Sequence, residues 1–293
     1  MKGFVIYPTY KIRENKAYVY LFGRLENGES FVSINYCKPY FYIKKEDLEL
    51  AQALNENFNY EEIKFKNFKD QEVVKIILEI PGDVPRLRGK FEENQIECYE
   101  ADVRFAYRFM MDKGIQGSLD IDGDYVAGDR IDRIYQEPEI KESDYKPSNL
   151  KVLSFDIESS KGDDGDELYC IGLVCDGTKK VFVNSKEKVE GAISCHDESD
   201  VIERFINEVI SLDPDIITGW NVIDFDLNYL NKKCKKLKIP FDFGREQGKC
   251  KISIEENFFK NSKVDVSGRQ VLDWLNLLRV SFIKVQDYKL DTV

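Results

Sequence analysis

From Phe4 to Tyr42 the chain alternates aromatic or β-branched positions with polar ones, as in Ala17-Tyr18-Val19-Tyr20-Leu21-Phe22 and Ser30-Phe31-Val32-Ser33-Ile34, on either side of Asn27-Gly28. Runs of this kind flanking an Asn-Gly signal predict a β-hairpin or meander. The pattern then changes to a helix expected over 46–54, a buried strand over 73–80 that stops at Pro81, a helix over 84–93 and a strand over 96–100. Together these make a small α/β layer. Between Gly114 and Asn149 the periodicity breaks down, with Asp120, Asp122, Asp124, Asp129, Asp132, Glu137 and Glu139 set among Pro138 and Pro147. Acidic, proline-bearing sequence without apolar period reads as an irregular connector, and a domain boundary belongs there. Beyond it come strands over 151–157, 168–175 and 180–183, a helix over 200–211, a strand over 215–220 and a helix over 226–237. That order predicts a mixed sheet covered by helices, so the fold class is α/β, mixed α+β.

With 293 residues, length adds the expectation of about two domains, taken as 1–148 and 149–293. Forty-three Lys and Arg against 54 Asp and Glu leave a net charge of −11, which excludes a protein that works by coating nucleic acid with positive charge. Seven scattered cysteines, an odd number with no Cys-x-x-Cys pair, argue against a zinc site or a disulfide framework and suit a reducing cytoplasm. The single histidine, His196, stands in a polar Ser-Cys-His-Asp-Glu-Ser stretch and reads as solvent-exposed rather than as part of a catalytic triad. No apolar run reaches the roughly 18 residues needed to cross a bilayer. Asp120-Ile121-Asp122-Gly123-Asp124 has the look of a calcium loop but carries Ile131 where the twelfth-position glutamate belongs, so a solvated hairpin is expected.

Two segments carry candidate chemistry. In Val152-Leu153-Ser154-Phe155-Asp156-Ile157-Glu158, strand periodicity puts Asp156 and Glu158 on one face and Phe155 and Ile157 on the other. Adjacent carboxylates at the end of an apolar strand repel unless a cation lies between them, and Mg²⁺ or Mn²⁺ suits oxygen ligands; a solvated strand end is the plain alternative. In Ile216-Ile217-Thr218-Gly219-Trp220-Asn221-Val222-Ile223-Asp224-Phe225-Asp226 a strand breaks into a helix, with Asn221 and Asp226 near the break. Sites in α/β proteins gather at such places, although Asp224 or Asp226 also suits a helix N-cap.

In that order, Phe155-Asp156-Ile157-Glu158 and Gly219-Trp220-Asn221-Val222-Ile223-Asp224-Phe225-Asp226 resemble the first two exonuclease motifs of B-family DNA polymerases. Glu167 to Leu173, Asp213-Pro214-Asp215, Phe243-Gly244-Arg245, Gly268-Arg269 with Asp273, and Tyr99 to Phe105 agree as flanks. The bacterial DNA polymerase II branch is the most similar. The resemblance implies an N-terminal β-rich α/β domain followed by a ribonuclease-H-like 3′→5′ exonuclease domain, C-terminally incomplete because the third motif and the polymerising domains come later in the family. It implies that Asp156, Glu158 and Asp226 are catalytic and hold a pair of Mg²⁺ or Mn²⁺ ions, while Asn221 and Phe225 contact the substrate. The implied partners are the single-stranded 3′ end of a primer-template, the remainder of a polymerase in the same or a second chain, and a sliding clamp reached through that remainder. With three of four expected carboxylates, activity is expected to be weak. Tyr288 and Asp291 lack the spacing of the third motif.

Lys232, Lys233, Lys235, Lys236 and Lys238 offer positive charge on or just after the last expected helix, though a solvated face is the preferred reading of them. Tyr7, Pro39, Tyr40, Pro81, Val84 and Phe105 match positions of an archaeal uracil pocket, while the residues themselves read as ordinary core of a β layer. The alternative from a different class is a non-catalytic fragment that binds DNA or a partner chain, or one chain of a split polymerase.

Overall fold

The computed structural model describes the chain apart from residues 163–164, 256–261, 284, 286 and 289–293; Asp291 lies outside the described residues. Two compact units result. The first takes in Met1–Leu21, Phe31–Val126 and Ile134–Lys146, and the second Phe22–Ser30, Ala127–Arg133 and Pro147–Val293.

The hairpin pattern at the start becomes the strands Lys2–Arg13, Lys16–Leu25, Ser30–Tyr36 and Tyr40–Lys44. Gly28 takes its turn at φ +89°, as Asn-Gly predicts, and the first turn places Glu14 and Asn15 at positive φ as well. The expected small α/β layer is a four-stranded sheet in the order Asn59–Lys66, Glu72–Ile77, Tyr40–Lys44, Cys98–Tyr99. Phe41, Ile43, Val74 and Ile76 alternate onto its inner face and meet Leu87 and Phe91 of the helix Asp83–Glu93.

The stretch expected to be an irregular connector is not one. It contains the strands Ser118–Asp122, Tyr125–Val126, Arg133–Gln136 and Glu139–Glu142, which occupy both edges of a seven-stranded sheet. Leu119, Ile121, Tyr135 and Ile140 are buried there. The acidic residues that hid these strands point outward, and a strand of two residues has no period to detect. The hairpin expected at the calcium-like segment does not form: Ser118–Asp122 pairs with Lys2–Arg13 and Glu139–Glu142, while Tyr125–Val126 crosses to the opposite edge of the sheet and pairs with Arg133–Gln136.

In the second unit a six-stranded mixed sheet runs in the order Ile193–Cys195, Thr178–Asn184, Gly165–Cys175, Val152–Gly162, Ile216–Gly219, Gln270–Asp273. Val152–Gly162 pairs antiparallel with Gly165–Cys175 and parallel with Ile216–Gly219, which is itself parallel to Gln270–Asp273. Leu153, Phe155 and Ile157 face the core with Val201, Phe205 and Val209 of the helix Glu198–Leu212. The rings of Phe155 and Phe205 are 4.9 Å apart. That helix starts earlier than expected because Asp197 caps it, accepting from the Asp200 amide at 2.9 Å. The helix expected over 226–237 is an α-helix only over Asn228–Leu237; Ile223–Leu227 ahead of it forms a π turn.

Beneath the sheet end lies a buried ion network. Asp215 accepts from Arg24 Nε at 2.8 Å and Arg245 Nη2 at 2.6 Å, and Asp213 from Arg245 Nε and Arg269 Nη1, both at 2.8 Å. Asp215 also accepts from the Lys151 amide at 2.9 Å, which fixes the start of the Val152–Gly162 strand. Burial works against ionisation of Asp213, yet the Arg245, Arg269 and Arg24 guanidiniums hold its carboxyl below the usual range. Burial brings Arg269 down to about 10.

Candidate active site

Three parallel strands of the six-stranded sheet run the same way, and Asp156, Asn221, Asp226 and Asp273 lie toward the ends of those strands or just past them, where sites in α/β sheets form. Asp156 and Glu158 are exposed on one face of Val152–Gly162, while Phe155 and Ile157 are buried on the other. The period of two therefore acts as expected. Glu158 pairs with Cys170 across the ladder. Burial, then Glu158, then Asp156 push the Cys170 thiol up, as two carboxylates on its own face must.

The neighbouring strand stops at Gly219, whose last residue paired to Val152–Gly162 is Thr218, opposite Ser154. A Cβ at Gly219 would lie 2.7 Å from the Phe155 carbonyl oxygen, so only glycine permits this approach just ahead of Asp156. Asn221 then adopts left-handed backbone, φ +56°, and accepts from the Phe225 amide at 3.0 Å. The Leu227 amide reaches back to the Val222 carbonyl at 2.8 Å, the wide bond of the π turn. Such turns insert one extra residue and recur at functional sites. Here the turn aims Asp226 inward, 1% exposed, and leaves Phe225 46% exposed.

Asp226 Oδ1 accepts from the Ile157 amide at 3.1 Å. Its Oδ2 is buried with no hydrogen-bond partner. Burial first, and the charge of Asp156 second, push the Asp226 carboxyl up to about 7. The structure thus brings Asp156 and Asp226 together, with Glu158 further along the same face. Among the described residues no group of three or more His, Cys, Asp or Glu side chains stands arranged to hold a metal ion. The donor chemistry nonetheless fits one: a buried carboxylate oxygen without a donor, beside a second carboxylate, is relieved by a hard divalent cation.

Beside Asp156 opens a cleft of about 850 Å³ walled by Phe155, Val174, Val181, Trp220, Trp274 and Leu278. Sequence reasoning assigned no role to Trp220 or Trp274, since two tryptophans over fifty residues apart carry no local signal. Asp273 is buried at the end of the last parallel strand. Its carboxyl caps the helix Trp274–Val280. Of the lysines noted above, Lys233 is not available to a ligand: it is buried and paired with Glu198 at 2.5 Å. Lys232, Lys235, Lys236 and Lys238 are exposed, and so is His196. In the first unit, Tyr40 donates to Asp112 at 2.6 Å and has Lys75 Nζ 4.2 Å above its ring.

Comparison with known proteins follows the same lines. DNA polymerase II of Escherichia coli (strain K12) is 26% identical over 280 residues, 92% of this chain and 34% of the relative. A DNA polymerase of Archaeoglobus fulgidus is 28% identical over 310 residues, 100% of this chain and 37% of the relative. The solved structure of the family B DNA polymerase from Pyrobaculum calidifontis superimposes with a TM-score of 0.76 at 26% identity, over 96% of this chain and 37% of that one. The chain spans about a third of the length of these relatives. The family described as "DNA polymerase family B, exonuclease domain" matches residues 96–293. With two thirds of its length so matched, and with its mixed sheet ending in the carboxylates that the resemblance pointed to, the chain belongs to the family B DNA polymerase exonuclease domains.

Proposed function

We propose that this chain removes nucleotides from a single-stranded 3′ DNA end by phosphodiester hydrolysis, with Asp156, Glu158 and Asp226 as catalytic, metal-holding carboxylates. Family B exonuclease domains are generally dependent on divalent metal ions. The observation that carries the reading is the orphaned Oδ2 of Asp226 beside Asp156. Asp156 and Glu158 would hold one Mg²⁺ or Mn²⁺ ion and Asp226 would help hold a second; bound there, such ions make a water more acidic and neutralise the leaving 3′ oxygen. The chain's own part is to orient. The Ile157 amide fixes the Asp226 carboxyl through Oδ1, leaving Oδ2 for the ion. Trp220, Trp274 and the exposed Phe225 offer faces on which the frayed bases stack, a sequence-tolerant contact. Asn221, half-buried at the turn, hydrogen-bonds the strand. This local grip suits a chain of net charge −11.

In the same reading the chain divides into an N-terminal domain, 1–148, and an exonuclease domain, 149–293, with Phe22–Ser30 and Ala127–Arg133 lent to the compact unit of the second. DNA-directed DNA polymerase activity, the primer-template and a sliding clamp belong to the whole protein under this proposal. Among the described residues no helix is long and apolar enough to cross a membrane. The seven cysteines are free, which suits a reducing, cytoplasmic setting. The alternative is a non-catalytic DNA- or partner-binding role. Calorimetry with Mn²⁺ separates the two. Binding should weaken at least about tenfold in Asp156→Ala and Asp226→Ala, together with the slow Mg²⁺-dependent shortening of a single strand. Mn²⁺ binding that neither substitution changes sinks the exonuclease reading.

A further inference from the structure

Asp273 makes more hydrogen bonds than a helix cap needs. Its Oδ1 accepts from the Leu275 and Asn276 amides at 3.0 and 3.4 Å, which caps the helix Trp274–Val280. Its Oδ2 turns the other way and accepts from the Ile223 amide at 3.1 Å. Ile223 is the first residue of the π turn that carries Asp226, and its side chain is buried. Asp273 itself is 3% exposed.

The turn needs such an anchor. Ile223–Leu227 runs without a break into the α-helix Asn228–Leu237, and an ordinary α-helix is the favoured continuation of a helical chain. Closing the wide turn into α register would rotate Asp226 by roughly 100°, one residue's share of a 3.6-residue turn. Its Oδ1 would then leave the Ile157 amide. Two bonds oppose this, one at each end of the turn: Asp273 holds the Ile223 amide, and the Ile157 amide holds Asp226. Asp273 reaches Ile223 because Gln270–Asp273 lies parallel to Ile216–Gly219, with Asp273 level with Gly219.

We propose that Asp273 is a positioning residue for the site: its Oδ2 pins the Ile223 amide, and so keeps open the π turn that points Asp226 at Asp156. The inference rests on the metal-holding role given above to Asp226. It makes Asp273 neither a ligand nor a fourth carboxylate, since both of its oxygens are engaged by backbone amides.

Two substitutions separate positioning from capping. Asp273→Asn keeps an oxygen for the helix end but turns an N–H₂ toward the Ile223 N–H, so the anchor is lost and the cap is kept. Asp273→Ser also caps well but is too short to reach Ile223. Amide hydrogen exchange in the full chain reads the anchor directly. The Ile223 amide should exchange at least tenfold faster in both variants, while the Leu275 amide stays protected. Mn²⁺ affinity should fall about tenfold, within the range for groups that orient metal ligands, and Asp273→Asn should have no further effect in an Asp226→Ala background. Unchanged exchange at Ile223 overturns the inference. So does Mn²⁺ binding that is lost in Asp226→Ala yet kept in Asp273→Asn. If Asp226→Ala itself leaves Mn²⁺ binding untouched, the metal-site reading falls and takes the inference with it, whatever Ile223 does.

Discussion

The carboxyls of buried Asp226 and half-buried Asp213 are perturbed in opposite directions, and pH should tell them apart. Folding raises the Asp226 carboxyl to about 7, so the folded chain binds this proton more tightly than the unfolded one. Metal-free stability should therefore fall as pH rises from about 4 through 7, and level off above. Asp213 is held low by its guanidiniums; its contribution is full at neutral pH and lost as pH falls into the acid range. Asp226→Asn should accordingly be more stable than the parent above pH 7 in a chelator, with the difference vanishing in acid and narrowing when Mn²⁺ is added. Urea midpoints across pH check it, and a parent that gains metal-free stability toward pH 8 contradicts it. That Asp156 and Glu158 share one strand face was legible in the sequence because strand period is local, and the strand break ahead of Asp226 was marked by the pattern of its own segment. The lysine row was not legible, since its charge pattern hides that Lys233 turns inward to Glu198.

At the scale of elements, the approach of two strands ahead of Asp156 depends on Gly219. A methyl group there would meet the Phe155 carbonyl at 2.7 Å, and backbone cannot yield as a flexible side chain does. Gly219→Ala should cost ~1–3 kcal/mol, as overpacking does, and should weaken Mn²⁺ binding by displacing Asp226. Denaturant titration alongside calorimetry measures both; an unchanged urea midpoint means the strands move apart freely. Long, strongly patterned elements such as Glu198–Leu212 and Val152–Gly162 were foreseeable from periodicity. Tyr125–Val126 was not, because its two residues are a strand only by virtue of pairing with Ile134 and Tyr135. The π turn was not either, since its register is set by Asp273, fifty residues along the chain.

For the whole molecule, the buried network of Arg24, Arg245, Arg269, Asp213 and Asp215 directly bonds residues up to 191 positions apart in sequence. Arg24 is 1% exposed and Asp215 fully buried, so removing Arg24 leaves Asp215 with Arg245 as its one guanidinium partner among the described residues and takes the donors from the Gly28 and Asp213 carbonyls. Arg24→Ala should destabilise the chain by ~3–5 kcal/mol, far beyond what an N-terminal surface arginine contributes, and thermal unfolding would reveal it. A loss below ~1 kcal/mol would mean that the network is redundant. Sequence alone determined the fold class, the paired carboxylates and the family, because each is written in short-range pattern: period two in a strand, motif order along the chain, and flanks such as Asp213-Pro214-Asp215 and Gly268-Arg269. It marked those flanks without saying what they do. Only the tertiary structure decided that their charged side chains pair in the interior, that Asp226 is buried beside Asp156, and that Asp273 accepts from the Ile223 amide at the start of the turn. Burial and long-range pairing set those energies, and neither exists until distant segments have come together.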